Sequence, residues 1–407
     1  MKTALMKPVF VFPVLVLSVM ACAGMVCAQT PAYDHVVIVT EENHGYNQII
    51  NSADAPYING TLATNGVLIT NAYGEQHPSQ PNYFWLFSGS NQGITGDKPY
   101  WSDTPGPVFS TGNIYTALQT KFSSTNFFGG YVDSGTTGTP VTNYYQPPLA
   151  TGETPPPGYN YNYANRHVPW LGFTNINGGN PASITQDFAT QFPSGSNADY
   201  SSLPKVSFVT PALNHDMHDY NSTGGEVSNT SESSTAVQNG DAWLSANLGG
   251  YAEWARSHNS LLIVTWDEDS THDWQTPVAD NGNGPDGGTN PSGLTAPDLG
   301  FKQTDSTSGP NQIAMLFYGA NLAAPGAHAE PGAGVNNVNL LRTVESFYEL
   351  TSSGDQSVLA TAAGMSNNGI TDIFTVPEPS ALCLIVLGCI YLRKSFRFPL
   401  HARRSKA

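Results

Sequence analysis

The sequence predicts an α/β layered domain with a mostly parallel central sheet. Three observations predict it. Short apolar runs at residues 35–40 and 261–266 have the length and continuity of buried strands. Such runs alternate along the chain with helical segments, the order expected when helices join the strands of one sheet. Acidic and amide residues cluster directly after three of the strands, at the edge where such sheets bind their ligands.

Each element follows from its residues. Residues 35–40 form the first strand, 56–64 a helix and 67–72 a second strand. Residues 81–87 read as a helix, because proline suits a first turn in which its missing N–H has no partner anyway. Ser88-Gly89-Ser90 stops it. Ser79, in the run His77-Pro78-Ser79-Gln80-Pro81-Asn82-Tyr83, sits at the mouth of that helix. It is either an ordinary N-cap or a nucleophile placed where free N–H groups attract an anion. Residues 114–122 are helical, and 126–132 and 205–210 are strands. Residues 234–258 carry a helix punctuated at Gly249-Gly250. Residues 261–266 and 312–318 are strands, and 338–350 a closing helix. Two stretches break the alternation: 133–202, rich in Pro, Gly, Tyr and Asn, and 270–310. The first is expected to be a cap-like insertion over the site, the second a flexible loop.

The ends of the chain separate from this domain. Residues 1–28 read as a signal peptide, with Lys2 and Lys7, an apolar run at 9–20 and small residues Val26-Cys27-Ala28 before the cut. At the other end, Val376-Pro377-Glu378-Pro379-Ser380 precedes an apolar run at 381–392 and six Lys or Arg residues. That run is short for a stable membrane span, and its trailing cations would stay in the cytoplasm. Taken in order, residues 376–407 resemble the PEP-CTERM sorting segment of Gram-negative bacteria. The resemblance implies cleavage by signal peptidase, then processing or anchoring by an exosortase-type enzyme. The expected location is periplasm, cell surface or extracellular matrix, with a simple C-terminal anchor as the alternative. All four cysteines, 22, 27, 383 and 389, lie in these two ends, so residues 29–375 have no thiolate chemistry and no disulfide.

Charge narrows the chemistry. Of 15 Lys and Arg, eight belong to the ends and seven remain; of 31 Asp and Glu only Glu378 belongs there, leaving 30 and a net charge of −23. Such a surface repels nucleic acid. It also cannot build a cationic phosphate cradle from side chains, so any phosphate chemistry calls for a bound cation. The three polar clusters, residues 41–44, 214–219 and 267–269, follow strands that would bring them to one sheet edge near Ser79. Converging carboxylates repel one another unless a cation neutralises them. Oxygen-rich sets with a few histidines suit a divalent metal.

The wording and order of these pieces resemble the bacterial phosphoesterase family of acid phosphatases and phospholipase C-like enzymes, within the alkaline phosphatase superfamily. The matching text is V-I-V-T-E-E-N-H-G-Y at 37–46, H-P-S-Q-P-N-Y at 77–83, P-A-L-N-H-D-M-H-D at 211–219, G-D-A-W-L at 240–244, I-V-T-W-D-E-D at 263–269 and L-L-R-T-V-E at 340–345. His167-Val168-Pro169-Trp170 echoes a further family segment. The resemblance implies an alkaline-phosphatase-like layered fold with helices on both faces of the sheet and a phosphoesterase catalytic domain over 29–375. It implies Ser79 as nucleophile and metal ligand, Glu42, Asn43, Asp267 and Glu268 as further metal ligands, and Asn82 near the phosphate oxygens. Asp216 and His218 match an Asp-x-His element near the metal or the leaving group. One position departs from the family: Asn337 stands where many relatives have histidine. An amide oxygen is a poor zinc ligand, which favours Mg²⁺, Mn²⁺ or Ca²⁺ over a full two-zinc site. Were zinc bound instead, His215 or His328 would be the first candidates to supply the nitrogen.

The activity this implies is metal-dependent hydrolysis of a phosphate monoester. Ser79 attacks phosphorus in line, a phosphoserine forms, and water assisted by His218 or Asp216 releases phosphate. Phosphodiester or phospholipase C-type cleavage is the alternative within chemistry. A non-catalytic surface or matrix protein on a degenerate phosphatase fold is the alternative outside it.

Overall fold

A computed structural model of the chain describes residues 30–75, 77–94, 96–97, 107–123, 126–133, 164–195, 198–218, 234–269, 311–331, 334–354 and 369–375. Among the described residues nine strands form one sheet: β1 (His35–Glu41), β2 (Val67–Tyr73), β3 (Phe128–Val132), β4 (Thr185–Asp187), β5 (Val206–Thr210), β6 (Ser260–Trp266), β7 (Gln312–Gly319), β8 (Gly326–His328) and β9 (Val335–Asn336). Their order is β4-β3-β5-β1-β6-β7-β2-β8, with β9 alongside β2. The five strands from β4 to β6 run parallel. β7 runs against both β6 and β2, so β2 points the same way as β1. β8 and β9 follow β2 in parallel. The C-terminal ends of β1, β2, β3, β5, β6 and β9 therefore share one edge, and the polar clusters follow them there.

Central strands buried on both faces need apolar residues throughout rather than alternation. β1 and β6 satisfy this: Val36–Val39 and Leu261–Val264 are all buried. Helices cover both sides. On β3, Phe128 meets Phe87 of helix α1 (Ser79–Ser88) edge to face. Tyr131, an odd number of residues on, meets Phe192, which packs on Tyr251 of the long helix Ser234–Ala255. Successive strand residues point to opposite faces, so these helices lie on opposite sides of the sheet. Helix α2 (Ile114–Lys121) joins the α1 side through Tyr115 against Phe128. The long helix, hereafter α3, and the closing helix α4 (Asn337–Phe347), which packs on α1, complete the layers.

Two details differ from the sequence expectation and two refine it. Helix α1 starts at Ser79 with Pro78 as its N-cap, so Ser79 is the first helical residue and not the cap. Pro81 still falls within the first turn, where the missing N–H costs nothing. α3 runs unbroken through Gly249-Gly250. A Cβ on Gly250 would lie 2.6 Å from the Tyr200 hydroxyl, so glycine is there for close packing. The helix expected at 56–64 is present from 56 to 65, with a π-type stretch at Ile58–Leu62 leading into Ala63–Asn65. Finally, much of the cap-like insertion expected at 133–202 lies outside the described residues, and its described part also extends the sheet. It adds β4 to the sheet through pairing with β3, and its Trp170 is fully buried with Nε1 donating to Thr185 Oγ1 at 2.9 Å. A stretch that looked like loop by composition is anchored by its aromatic residues.

Residues Ala32–Phe374 make up one compact unit. The expected signal peptide, sorting segment and 270–310 loop lie outside the described residues. Among the described residues no helix is long and apolar enough to cross a membrane.

Candidate active site

Three strand-end loops are tied together by their own backbones. Glu42 N donates to Asp216 O at 2.7 Å, and Asp267 N to Glu41 O at 3.0 Å. Asn43 N donates to Asp267 Oδ1 at 3.1 Å. Two residues in these loops are left-handed: Asn43 at φ 42° and Met217 at φ 70°. Asparagine tolerates that region, while methionine rarely enters it. Gly240 of α3 makes room for Met217, since a Cβ there would lie 2.3 Å from Met217 Cγ. Strained residues held by packing mark functional sites more often than chance.

Ser79 enters from β2 through the start of α1. Its Oγ lies 3.1 Å from Glu42 Oε2, 3.1 Å from Asn43 Oδ1 and 3.0 Å from Glu268 Oε1. All of this is buried except the partly buried Asn43. Asp267 reaches the group through Asn43 N. His218 faces Asn43, Nε2 to Nδ2, at 3.0 Å, and its backbone N–H donates to Asp216 Oδ1 at 2.9 Å. Asn82 is buried on α1 three residues after Ser79, on the same helix face. The sequence-named residues are thus gathered at one place.

Others were missed. The Tyr83 hydroxyl donates to Glu42 Oε1 at 2.6 Å. His167 Nε2 lies 3.0 Å from the same oxygen, and its Nδ1 3.8 Å from Asp216 Oδ2. The Tyr83 and His167 rings stack at 4.8 Å. His77 Nδ1 lies 2.7 Å from Glu268 Oε2, and its Nε2 3.5 Å from Asp269 Oδ1. Arg166 Nε approaches Asp97 Oδ2 at 3.9 Å, and Asp97 Oδ1 accepts from Gln80 N in the first turn of α1. Each of His77, Tyr83 and His167 stood inside a quoted motif, and their presence there was the available signal.

Electrostatics make the cluster unequal. Burial works to raise Glu42, but the charge and hydrogen bond of His167, together with the charges of His218 and Arg166, hold Glu42 well below the usual carboxylate range. Burial and then the Glu42 charge push Asp216 and Asp267 far up. Burial, then Asp97 and Glu42, do the same to Glu268. Burial lowers His218 to about 4. A divalent cation fits this donor set on two observations. The Ser79 hydroxyl has one proton and three oxygen acceptors within 3.1 Å. Asp267 Oδ2 is buried with no hydrogen-bond donor among the described residues. Glu42, Asn43, Ser79, Asp267 and Glu268 offer oxygen only, the choice of hard cations.

Asn337, at the start of α4, turns elsewhere. Its Nδ2 donates to Glu75 Oε2 at 3.3 Å and to Trp266 O at 3.4 Å, and its Oδ1 accepts from Thr265 Oγ1 at 3.3 Å. Val338 N donates to Glu75 Oε1 at 2.9 Å. The two histidines considered as replacement nitrogen ligands are also engaged elsewhere. His215 pairs with Asp133 at 2.8 Å and stacks on Trp243, and His328 belongs to a group at β8.

A mostly parallel sheet with its polar loops gathered at one edge around a helix-borne serine has the parts of a hydrolytic site. The chain belongs to the Phosphoesterase family, whose model matches residues 49–351. It is therefore a hydrolase of phosphate esters. It is 33% identical over 326 residues to a phosphatidylinositol-3-phosphatase of Mycobacterium tuberculosis, covering 80% of each chain. It is 25% identical over 219 residues to an acid phosphatase of Aspergillus fumigatus, covering 52% of this chain and 40% of that one. Among solved structures it is similar to a protein of the alkaline phosphatase superfamily from Vibrio parahaemolyticus, with a TM-score of 0.43, 15% identity, and coverage of 80% and 70%. A score of that size leaves the fold to be read from the sheet order itself.

Proposed function

We propose that this phosphoesterase is an exported, metal-dependent phosphomonoesterase that works through a phosphoserine at Ser79. The observation that carries the reading is the Ser79 hydroxyl, held at the first residue of a helix among three oxygen acceptors. A divalent ion held by Glu42, Asn43, Ser79, Asp267 and Glu268 would neutralise these carboxylates and favour the alkoxide of Ser79. The chain's own residues then have these tasks. Tyr83 and His167 fix Glu42 from the side away from Ser79, and His77 fixes Glu268. The Ser79 oxygen attacks phosphorus in line, the ester oxygen leaves, and the phosphoryl group passes to Ser79. Asn82 donates to the phosphate oxygens. His218 or Asp216 takes the proton from the water that frees phosphate from Ser79. The name of the Mycobacterium tuberculosis relative supports a monoester and singles out a phosphoinositide 3-phosphate as a substrate to try.

The test is turnover by the full chain of p-nitrophenyl phosphate, phosphatidylinositol 3-phosphate and bis-p-nitrophenyl phosphate, before and after chelation. A mass-spectrometric search for phosphate on the Ser79 peptide accompanies it. Faster turnover of the diester would replace the monoester reading. Metal-independent turnover would remove the ion. Export, and handling by signal peptidase and an exosortase-type enzyme, rest on residues 1–28 and 376–407 alone. The masses of the mature N- and C-termini check them, and an uncut chain would end that part of the proposal.

A further inference from the structure

We infer that His328, Glu330 and Asp372 form a second divalent-cation site, separate from the Ser79 centre, that takes Zn²⁺ or Mn²⁺. Their ligand atoms all lie within 4.8 Å of one another. His328 Nε2 is 3.3 Å from Glu330 Oε1 and 3.4 Å from Asp372 Oδ2. The Glu330 side chain is only 10% exposed. Its Oε1 and the Nε2 of His328 are buried, yet neither makes a hydrogen bond among the described residues. Two buried ligand atoms that face each other at 3.3 Å without hydrogen-bonding are aimed at a shared point. One imidazole and two carboxylates make a mixed nitrogen and oxygen set, which suits Zn²⁺ or Mn²⁺ better than Mg²⁺.

The ligands are held before any ion arrives. Asn71 grips Glu330 by its backbone, with Nδ2 donating to Glu330 O and Oδ1 accepting from Glu330 N, both at 2.9 Å. Thr70 Oγ1 donates to His328 O at 3.1 Å. Asp372 sits in a segment fastened at both ends: Ile370 N donates to Thr343 Oγ1 at 2.8 Å, and Ile373 O accepts from Ala323 N at 2.7 Å. Supports of this kind orient metal ligands and are commonly as important as the ligands. Burial, and after it Asp372, pushes Glu330 up to about 7, a repulsion that a cation would relieve. The half-exposed Asp372 leaves the site open to water on one side. The site lies at β8, beyond β7 and β2 from β6, the strand that leads to Asp267 and Glu268. Its effect would be to clip residues 370–374 to the end of the sheet.

The test uses the full chain, stripped of metal, then equilibrated with ZnCl₂ or MnCl₂ and passed through gel filtration. Bound metal, melting temperature and p-nitrophenyl phosphate turnover are read for the parent, Glu330→Gln, Asp372→Asn and His328→Ala. The expected result is loss of one bound equivalent and of part of the metal-induced rise in melting temperature in each variant, with turnover unchanged. Asp372→Asn, at a half-exposed position, keeps the test valid if a buried substitution disturbs folding. Equal metal content in parent and variants would overturn the site. So would a parent that takes up neither ion here and instead loses stability above pH 7, the sign of a proton shared by Glu330 and Asp372.

Discussion

Two buried polar groups at the same sheet edge are built from the same residue types and do different things. Around Glu75 and Asn337, donors match acceptors. Each Glu75 oxygen has an N–H, and each Asn337 amide atom has a partner. Around Ser79, three oxygens converge on one hydroxyl, and Asp267 Oδ2 has no donor among the described residues. A balanced group is a folding device that fixes the start of α4. An unbalanced one is costly to bury and persists where an ion or a substrate supplies the missing charge. Chemistry therefore lies where the polar count fails to close, and residue type alone does not reveal it.

The sharpest way to break the contrast is Ser79→Ala. It should cut phosphate-ester turnover by about 10³-fold or more while melting stays near the parent value, since oxygens freed of a competing hydroxyl remain available to a cation. Near-normal turnover would remove Ser79 as nucleophile. Chelation comes next in size. It should lower both rate and melting temperature, because an ion bound only to the native state stabilises it. Readdition of Mg²⁺ or Mn²⁺ should restore more activity than Zn²⁺. Unchanged melting and rate in metal-free protein would sink the unbalanced reading.

The balanced group should respond in the opposite sense. Asn337→Ala leaves Glu75 Oε2 buried without its donor and should cost about 1–3 kcal/mol of stability, with a much smaller effect on rate. Chemical denaturation of both proteins checks it, and a large rate loss at full stability would merge the two groups. The smallest effect concerns pH. Burial raises Glu75 from 4.5 to about 8 against its hydrogen bonds. Between those values the unfolded chain has released the proton while the folded one keeps it, so this group's contribution is complete below pH 4.5 and declines as pH rises to about 8. Glu75→Gln should flatten the stability profile across that window. A slope unchanged by the substitution would assign it elsewhere.

Much of this was legible in the sequence, for physical reasons. Strands such as β1 and β6 are buried on both faces, so they announce themselves as unbroken apolar runs. Parallel strands end on one edge, so the clusters at 42–43, 216–218 and 267–268 could be placed together without any coordinates. What stayed hidden depends on contacts between distant residues. The Glu75–Asn337 pair spans 262 positions. Tyr83 and His167 meet Glu42 only once α1 and the Arg166 segment dock. β4 could not be read from a stretch dominated by loop-forming residues, because its partner β3 decides it. The cysteine-free domain and its low basic content were readable outright, and the second bears on Arg166, whose charge acts on Glu42, Asp216 and His218.

The reversal at β7 has a consequence for the order in which the molecule is made. β2 delivers Ser79, yet every strand it pairs with comes from the last third of the chain: Val67 opposite Phe317, Ile69 beside His328, and Tyr73 beside Asn336. A growing or refolding chain can begin to assemble β1, β3 and β5 first, with β6 to follow. The nucleophile's strand must wait, unpaired and apolar, until residues beyond 312 arrive. Such long-range pairing is slow and leaves an aggregation-prone segment exposed. The rate-limiting step of folding should therefore be the docking of β2 between β7 and β8, and catalytic competence should be the last property the chain acquires.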